Sequence, residues 1–335
     1  MSTIVFRSKP SIIGWYSVAG KKESEGPLGK TFSQVVKDEY FGEKTHEAAE
    51  RKFFVTAMQG AITAANVTPD LVMAGDLLNQ IVSASFAMRE LGLPFVGVYG
   101  ACSTMALSLI VAATFVDAGL AKNTVAAAGS HFATAERQYR TPLEFGNQRP
   151  PSSQWTVTGA GATVVSGQKQ SDIVITAATV GRVIDYGIKD VNNMGAAMAP
   201  AAADTLQRHF QNTKTKPQDY DAIFSGDLGR IGEEALRDLL REVGYDLGEH
   251  YYDCGKLVYS GQQKVDMGGS GCGCCAIALN GFILDKFKTG EYHKVLFMAT
   301  GALLSPVTSY QGESIPSIAN AVVIEKMPTR KEDKA

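Results

Sequence analysis

The sequence predicts an α/β fold built from two similar halves, and three observations carry the prediction. Strand-like and helix-like apolar runs alternate along the chain. A cysteine at a strand-to-helix corner, Cys102 in Gly100-Ala101-Cys102-Ser103-Thr104, has a counterpart in Cys272, within Gly268-Gly269-Ser270-Gly271-Cys272-Gly273; at the same spacing Val125 of one strand answers to Val295 of another. Ala74-Gly75-Asp76-Leu77 recurs as Ser225-Gly226-Asp227-Leu228, each after a short apolar strand, with a different offset that implies an insertion in the second half.

Taken in order, strands are expected at residues 71–74, 95–98, 125–128, 162–165, 173–176, 222–224, 294–298 and 321–324. They are short apolar or β-branched runs bounded by turn residues. Helices are expected at 45–65, 80–91, 201–210 and 232–243, where apolar or small residues recur at helical spacing. The run 105–113 after Cys102 is apolar throughout and reads as a buried helix. Residues 141–153 are rich in Pro, Gly, Asn and Gln and read as a long loop, of the kind that often forms a pocket wall. The halves divide as 1–170, with the Cys102 corner, and 171–335, with the Gly-rich corner at 268–273 and a charged tail.

The bulk numbers exclude several classes. The chain has 335 residues, enough for two ordinary cores, and a net charge of −2, which gives no electrostatic case for nucleic acid. No apolar run reaches the ~18 residues needed to span a bilayer, and residues 1–10 carry no signal-peptide block. A soluble chain without signal or transmembrane segment is expected. Cys272, Cys274 and Cys275 have no His nearby at ligand spacing and open an apolar helix, so they read as small buried apolar residues rather than zinc ligands; no metal or cofactor is expected. Residues 268–273 lack both the Lys of a phosphate loop and the G-x-G-x-x-G spacing.

Backbone N–H groups at a strand-to-helix corner lower a thiol's pKa or attract an anion, which marks Cys102 as the leading chemical candidate. His131 follows the strand that ends toward the same corner. Three roles are open to it: a Cys–His pair, a pocket lining, or a cap on the strand end.

Gly100-Ala101-Cys102-Ser103 resembles the nucleophile corner of the ketoacyl synthase III branch of the thiolase superfamily. Thr158-Gly159-Ala160-Gly161-Ala162 resembles that branch's G-D-G-A-G-A strand entry, with Thr158 in place of the Asp, and Met198-Ala199-Pro200 resembles its helix start. The resemblance implies a thiolase-like duplicated fold, layered α-β-α-β-α with two mixed sheets, and a homodimer that adds the strand near Val125 across a two-fold axis. It also implies two catalytic positions that this chain departs from. Gly226-Asp227 stands where a His follows the strand, and Met267, Gly268 or Gly269 stands where a His or Asn is expected. The five histidines fall at neither place.

Closer still, Ala74 to Gln80, Ala133 to Gln138, Met198 to Thr205, Ala299 to Pro306 and Glu25-Gly26-Pro27-Leu28-Gly29 resemble the stage V sporulation protein AD family of spore-forming Firmicutes. That resemblance implies a non-catalytic binder of dipicolinic acid (pyridine-2,6-dicarboxylate), free or as its calcium chelate. It implies work at the spore inner membrane with other subunits of the stage V sporulation A membrane complex, in uptake or release of the compound.

A planar dianion needs N–H donors and cationic partners. The expected ligand set is Cys102, Ser103, His131, Arg137, Arg140, Arg149, Thr158, Asp227, Gly269 and Ser270, with Cys102 a vestigial nucleophile and one of the three arginines reaching the ligand. Two other functions stay open: an acyl-CoA condensing or thiolytic enzyme using Cys102, and a docking subunit with a vestigial pocket.

Overall fold

A computed structural model describes residues 3–139, 149–168 and 171–328. The first half runs β1 (Thr3–Val5), β2 (Ser11–Gly20), α1 (Lys21–Ser24), β3 (Gln34–Val36), α2 (His46–Ala65), β4 (Leu71–Gly75), α3 (Val82–Leu91), β5 (Phe95–Gly97), α4 (Thr104–Asp117), β6 (Asn123–Ser130), α5 (Phe132–Tyr139), β7 (Trp155–Thr156) and β8 (Gly159–Ser166). The second runs β9 (Ile173–Thr179), α6 (Met194–Thr213), β10 (Ala222–Ser225), α7 (Gly229–Glu242), β11 (Tyr251–Asp253), α8 (Cys254–Val258), β12 (Gly269–Ser270), α9 (Cys272–Ala278), α10 (Leu284–Thr289), β13 (Lys294–Ala302), α11 (Pro306–Tyr310) and β14 (Ser317–Lys326).

The strands of the first half lie in the order β5-β4-β6-β8-β2 and those of the second in the order β11-β10-β13-β14-β9. β4 thus corresponds to β10, β6 to β13 and β8 to β14. Both sheets mix parallel and antiparallel pairs, and one pair, Ser11 with Val174, joins β2 to β9 and makes the ladder continuous. Helices α2 and α3 cover the outer face of the first sheet, and α6 and α7 that of the second. Helix α4 touches β4, β6 and β8 on one side and β13 and β14 on the other, with α9 beside it on β6 and β8. The result is five layers, α-β-α-β-α.

This layering explains why α4 is apolar all round. Met105, Ala106, Leu109, Ala112 and Ala113 are fully buried, because both faces of the helix meet a sheet. Each large apolar side chain so buried stabilises the fold by about 1.5–3 kcal/mol. Close approach matters on the outer face too. A methyl group at Gly14 of β2 would stand 2.7 Å from the Ala61 carbonyl and the Ala65 backbone of α2, so the helix lies directly on the strand.

The structure revises several boundaries. Helix α6 starts at Met194, not at residue 198 or 201, because the Asn193 side chain accepts the Ala196 N–H and caps it; Pro200 then lies inside the helix. Helix α3 starts at Val82, since Gln80 and Ile81 sit at φ +58° and +47°, where a helix cannot run. Strand β2 was not expected, its apolar residues being interrupted by Gly14 and Ser17, yet it joins the halves. β6 carries Val125 between β4 and β8, with both edges hydrogen bonded, so it cannot extend across a two-fold axis; the free edge of the first sheet is β5. Among the described residues no helix is long and apolar enough to cross a membrane.

A buried polar chain fastens α6 to β9. The His209 ring bonds Thr179 Oγ1 at 2.8 Å through Nδ1 and Tyr220 Oη at 2.8 Å through Nε2, and Thr179 bonds Thr3 at 3.0 Å. Burial holds the His209 imidazole down to about 4, against an ordinary value near 6.5. Between these values only the unfolded chain takes up the proton, so this site loses stability as pH falls from about 6.5 toward 4. We expect ~3 kcal/mol to be lost through it over that window. Urea unfolding at about pH 7 and about pH 4.5 should show a smaller acid loss in His209→Gln; an unchanged loss would refute the assignment.

Candidate functional site

Two helix starts, one from each half, meet in the central layer. Ala101, at φ +48°, turns the chain out of Gly100 so that Cys102 stands just ahead of α4. Gly301 of β13 packs on the back of this corner. A Cβ there would lie 2.3 Å from the Gly100 carbonyl and 3.0 Å from the Ser103 nitrogen, so glycine is what admits the contact. From the other half, β12 brings Gly269 and Ser270 alongside β7, and Gly271 opens α9.

Asp227 sits between the two corners, 1% exposed. Its Oδ1 accepts the Thr300 hydroxyl at 2.8 Å, and its Oδ2 accepts the Ser270 hydroxyl at 3.2 Å and the Gly271 N–H at 3.0 Å. The Cys102 thiol lies near the same carboxylate, close enough for the two to influence each other electrostatically. Burial raises the Asp227 carboxyl to about 7, against the pull of these donors. The loop carrying it is fixed by Asp253, which accepts the Leu228 N–H at 2.8 Å, the Gly229 N–H at 3.0 Å and the Ser225 hydroxyl at 2.6 Å.

Burial first, and the Asp227 carboxylate second, push the Cys102 thiol well above its usual range. A helix start alone would lower it; here desolvation and a neighbouring acid win. The thiol is a proton donor at neutral pH.

Above Cys102 is a small chamber of about 40 Å³, lined by Cys102, Ser270, Thr156, Glu136, Leu77, Met194 and Ala302, among others. It has room for about three water molecules. An outer groove of about 410 Å³ adjoins it, lined by residues 78–81, 97–99 and 303–306 with Tyr139, and is of the size of small-molecule sites. Tyr99, Tyr139 and Leu304 belong to both spaces and form the partition. The Tyr139 hydroxyl donates to the Leu77 carbonyl, and the Tyr99 hydroxyl lies 3.1 Å from that of Tyr139.

The expected ligand set separates into groups. Cys102 and Ser270 line the chamber, and Asp227 lies directly behind them. Ser103 does not line it: its hydroxyl donates to the Gly100 carbonyl at 2.7 Å and accepts from Asn320 at 3.2 Å. Gly269 offers its carbonyl to the Gln154 amide at 3.0 Å. Thr158 accepts the Phe132 N–H at 3.0 Å and faces a different groove, beside Lys22 and Trp155.

His131 has no part in a Cys–His pair. Its Nε2 bonds the Glu39 carbonyl at 2.8 Å and its Nδ1 accepts the Ala133 N–H at 3.2 Å, which fixes the neutral tautomer; burial lowers the ring to about 4. It caps the turn into α5. Arg137 pairs with Glu47 at 2.6 Å on the surface. Arg149 pairs with Glu136 at 3.0 Å and lies over the Trp155 ring at 5.1 Å. Neither arginine is among the residues that line the chamber. Arg140 lies outside the described residues.

Sequence reasoning missed Tyr99, Glu136, Tyr139, Thr156 and Leu304. Tyr99 ends the apolar run leading into the Cys102 corner, and Leu304 lies two residues beyond β13, the strand that answers to β6, so the segments just past both strands carried a usable signal.

The buried acid makes a pH prediction. The folded Asp227 carboxyl binds a proton below about 7 and the unfolded one only below about 4. Between these values the folded protein holds more protons, so this site loses stability as pH rises. Asp227→Asn should therefore gain on the parent by ~3 kcal/mol between about pH 5 and about pH 8, read by urea unfolding. A difference that stays constant with pH would overturn the assignment.

Comparison with known proteins accords with the layered architecture. Two solved structures cover nearly the whole chain: 3-oxoacyl-[acyl-carrier-protein] synthase III from Aquifex aeolicus VF5 (TM-score 0.55, 15% identity, 94% of this chain and 99% of that one) and Xanthomonas campestris OleA E117D (TM-score 0.62, 14% identity, 96% and 98%). At such identities the likeness establishes the thiolase-like fold. At the level of sequence, the stage V sporulation protein AD of Bacillus subtilis (strain 168) is 46% identical over 313 residues, covering 92% of each chain. The family model for stage V sporulation protein AD matches residues 1–325. With that match spanning both halves and the Cys102 and Asp227 corners alike, the chain belongs to the stage V sporulation protein AD family.

Proposed function

We propose that this protein binds dipicolinate as its calcium chelate, without acyl transfer, and hands it to a membrane complex of the spore. The observation that carries this reading is the chemistry around Cys102. Burial and a neighbouring buried acid keep the thiol protonated, and among the described residues lining the chamber there is no Lys, Arg or His. Acyl transfer needs a thiolate and a base to form it. A protonated thiol beside a carboxyl that titrates near neutrality is poorly suited to that step and well suited to hydrogen bonding.

The same lining argues for the chelate over the free dianion. The polar groups near the chamber are hydroxyls of Tyr99, Tyr139, Thr156 and Ser270 and the carboxyl of Glu136. A bare dianion placed beside Glu136 and Asp227 is repelled at low dielectric. Calcium cancels the ligand's charge and accepts further oxygen ligands. The aromatic ring is too large for the chamber, so it occupies the outer groove, with the hydroxyls of the partition toward its carboxylates. Homodimerisation through the free edge of β5, and peripheral attachment at the spore inner membrane through stage V sporulation A subunits, complete the reading.

Titration calorimetry tests it. Saturable heat is expected with dipicolinate in calcium, and an affinity lower by ~10-fold when calcium is chelated. Equal affinities would sink the charge argument, and no heat in either condition would sink the ligand. The corner position of Cys102 at a helix start favours a second reading, an acyl-CoA condensing or thiolytic enzyme. Intact-mass measurement after incubation with acyl-CoA should show no adduct; an acyl group on Cys102 would make the protein an enzyme.

A further inference from the structure

We propose that Tyr99 is the gate of the Cys102 chamber and the residue that gives its hydroxyl hydrogen to the entering ligand. The hydroxyl of Tyr139 has one hydrogen, and it goes to the Leu77 carbonyl. In the Tyr99–Tyr139 contact at 3.1 Å, Tyr99 is therefore the donor and Tyr139 the acceptor. The chain of donors runs Tyr99 to Tyr139 to backbone.

The two phenols differ in freedom. Tyr139 is anchored at the end of α5, whose Gln138 amide also donates to the Leu77 carbonyl at 2.9 Å. Tyr99 is 46% exposed and its one described hydrogen bond is the one to Tyr139. Turning its side chain outward takes one of the three residues of the shared wall away and opens the chamber to the outer groove. The hydrogen bond given up is replaced when an incoming ligand offers an acceptor oxygen, as a carboxylate or carbonyl does. Desolvation holds both phenols above their ordinary range, so Tyr99 stays a neutral donor at physiological pH. A ligand without an acceptor finds no replacement bond, so the gate selects for oxygen acceptors.

The gate itself does not depend on which ligand is bound; only the identity of the cargo rests on the dipicolinate reading. Cys102 reports the gate through its rate of modification by iodoacetamide, read peptide by peptide. The other four cysteines, Cys254, Cys272, Cys274 and Cys275, are fully buried and serve as internal controls for loosening of the whole fold. Tyr99→Ala should raise the Cys102 rate by ~10-fold or more while the other four stay protected. Tyr99→Phe, which keeps the wall and loses the bond, should raise it by about 2–5-fold. Cys102 labelled at the parental rate in both variants overturns the proposal. Should Tyr99→Ala label all five cysteines together, Tyr99→Phe decides: selective labelling of Cys102 supports the gate and no change rejects it. Adding calcium dipicolinate to the parent protein separates the two readings, because selective labelling in the variants without protection by that ligand leaves the gate standing and removes the cargo.

Discussion

The carboxyl of Asp227 is the constraint on which the centre of this molecule depends. It is buried where the two halves meet and collects donors from three places: Ser270 on β12, Gly271 at the start of α9 and Thr300 on β13, with the Cys102 thiol ahead of α4 nearby. Burying an acid costs several kcal/mol unless donors surround it. Here the donors hold it, and in exchange they hold each other. Removing the acid would leave a backbone N–H and two hydroxyls without their acceptor in the middle of the protein, the kind of loss that costs about 1–3 kcal/mol per group.

Duplication supplied this arrangement and divergence specialised it. Asp76 occupies the place in the first half that Asp227 holds in the second, each after a parallel strand. Asp76 turns the other way and accepts the Leu78 N–H at 2.8 Å and the Ala84 N–H at 2.7 Å, fixing the entry into α3. In the second half that structural task falls to Asp253, which holds Leu228 and Gly229 and frees Asp227 to face the corner. One copy of the motif became a brace and the other became part of the site. Cys272, the counterpart of Cys102, likewise donates to the Gly129 carbonyl at 3.3 Å and is not among the residues that line the chamber.

Arg137 and Arg149 illustrate how cations that the sequence leaves free find carboxylate partners on folding. Glu47 and Glu136 lie within reach of Arg137 and Arg149, and an exposed or half-buried guanidinium pairs with the nearest carboxylate. Arg149 acts at one remove: it positions Glu136, which lines the chamber, and packs on Trp155, which stacks on Phe132 at 4.0 Å.

The sequence by itself determined the duplicated α/β plan, the Cys102 corner and the pairing of Gly-Asp-Leu motifs, because each depends on local periodicity or on residues a few positions apart. Alternating apolar runs fix strand and helix, and a repeat announces itself without any knowledge of contacts. The tertiary structure alone decided the rest. Strand β2 joins the sheets although Gly14 and Ser17 break its pattern, since Gly14 answers to a helix lying on it and not to strand propensity. His131 turned from candidate catalyst to cap because Glu39, remote in sequence, presents a carbonyl to it. Tyr99 and Tyr139 became a partition because β5 and α5 end side by side, and the state of Cys102 followed first from its burial and then from a carboxyl 125 residues away. Burial and partners set protonation and access, and both are properties of the assembled layers.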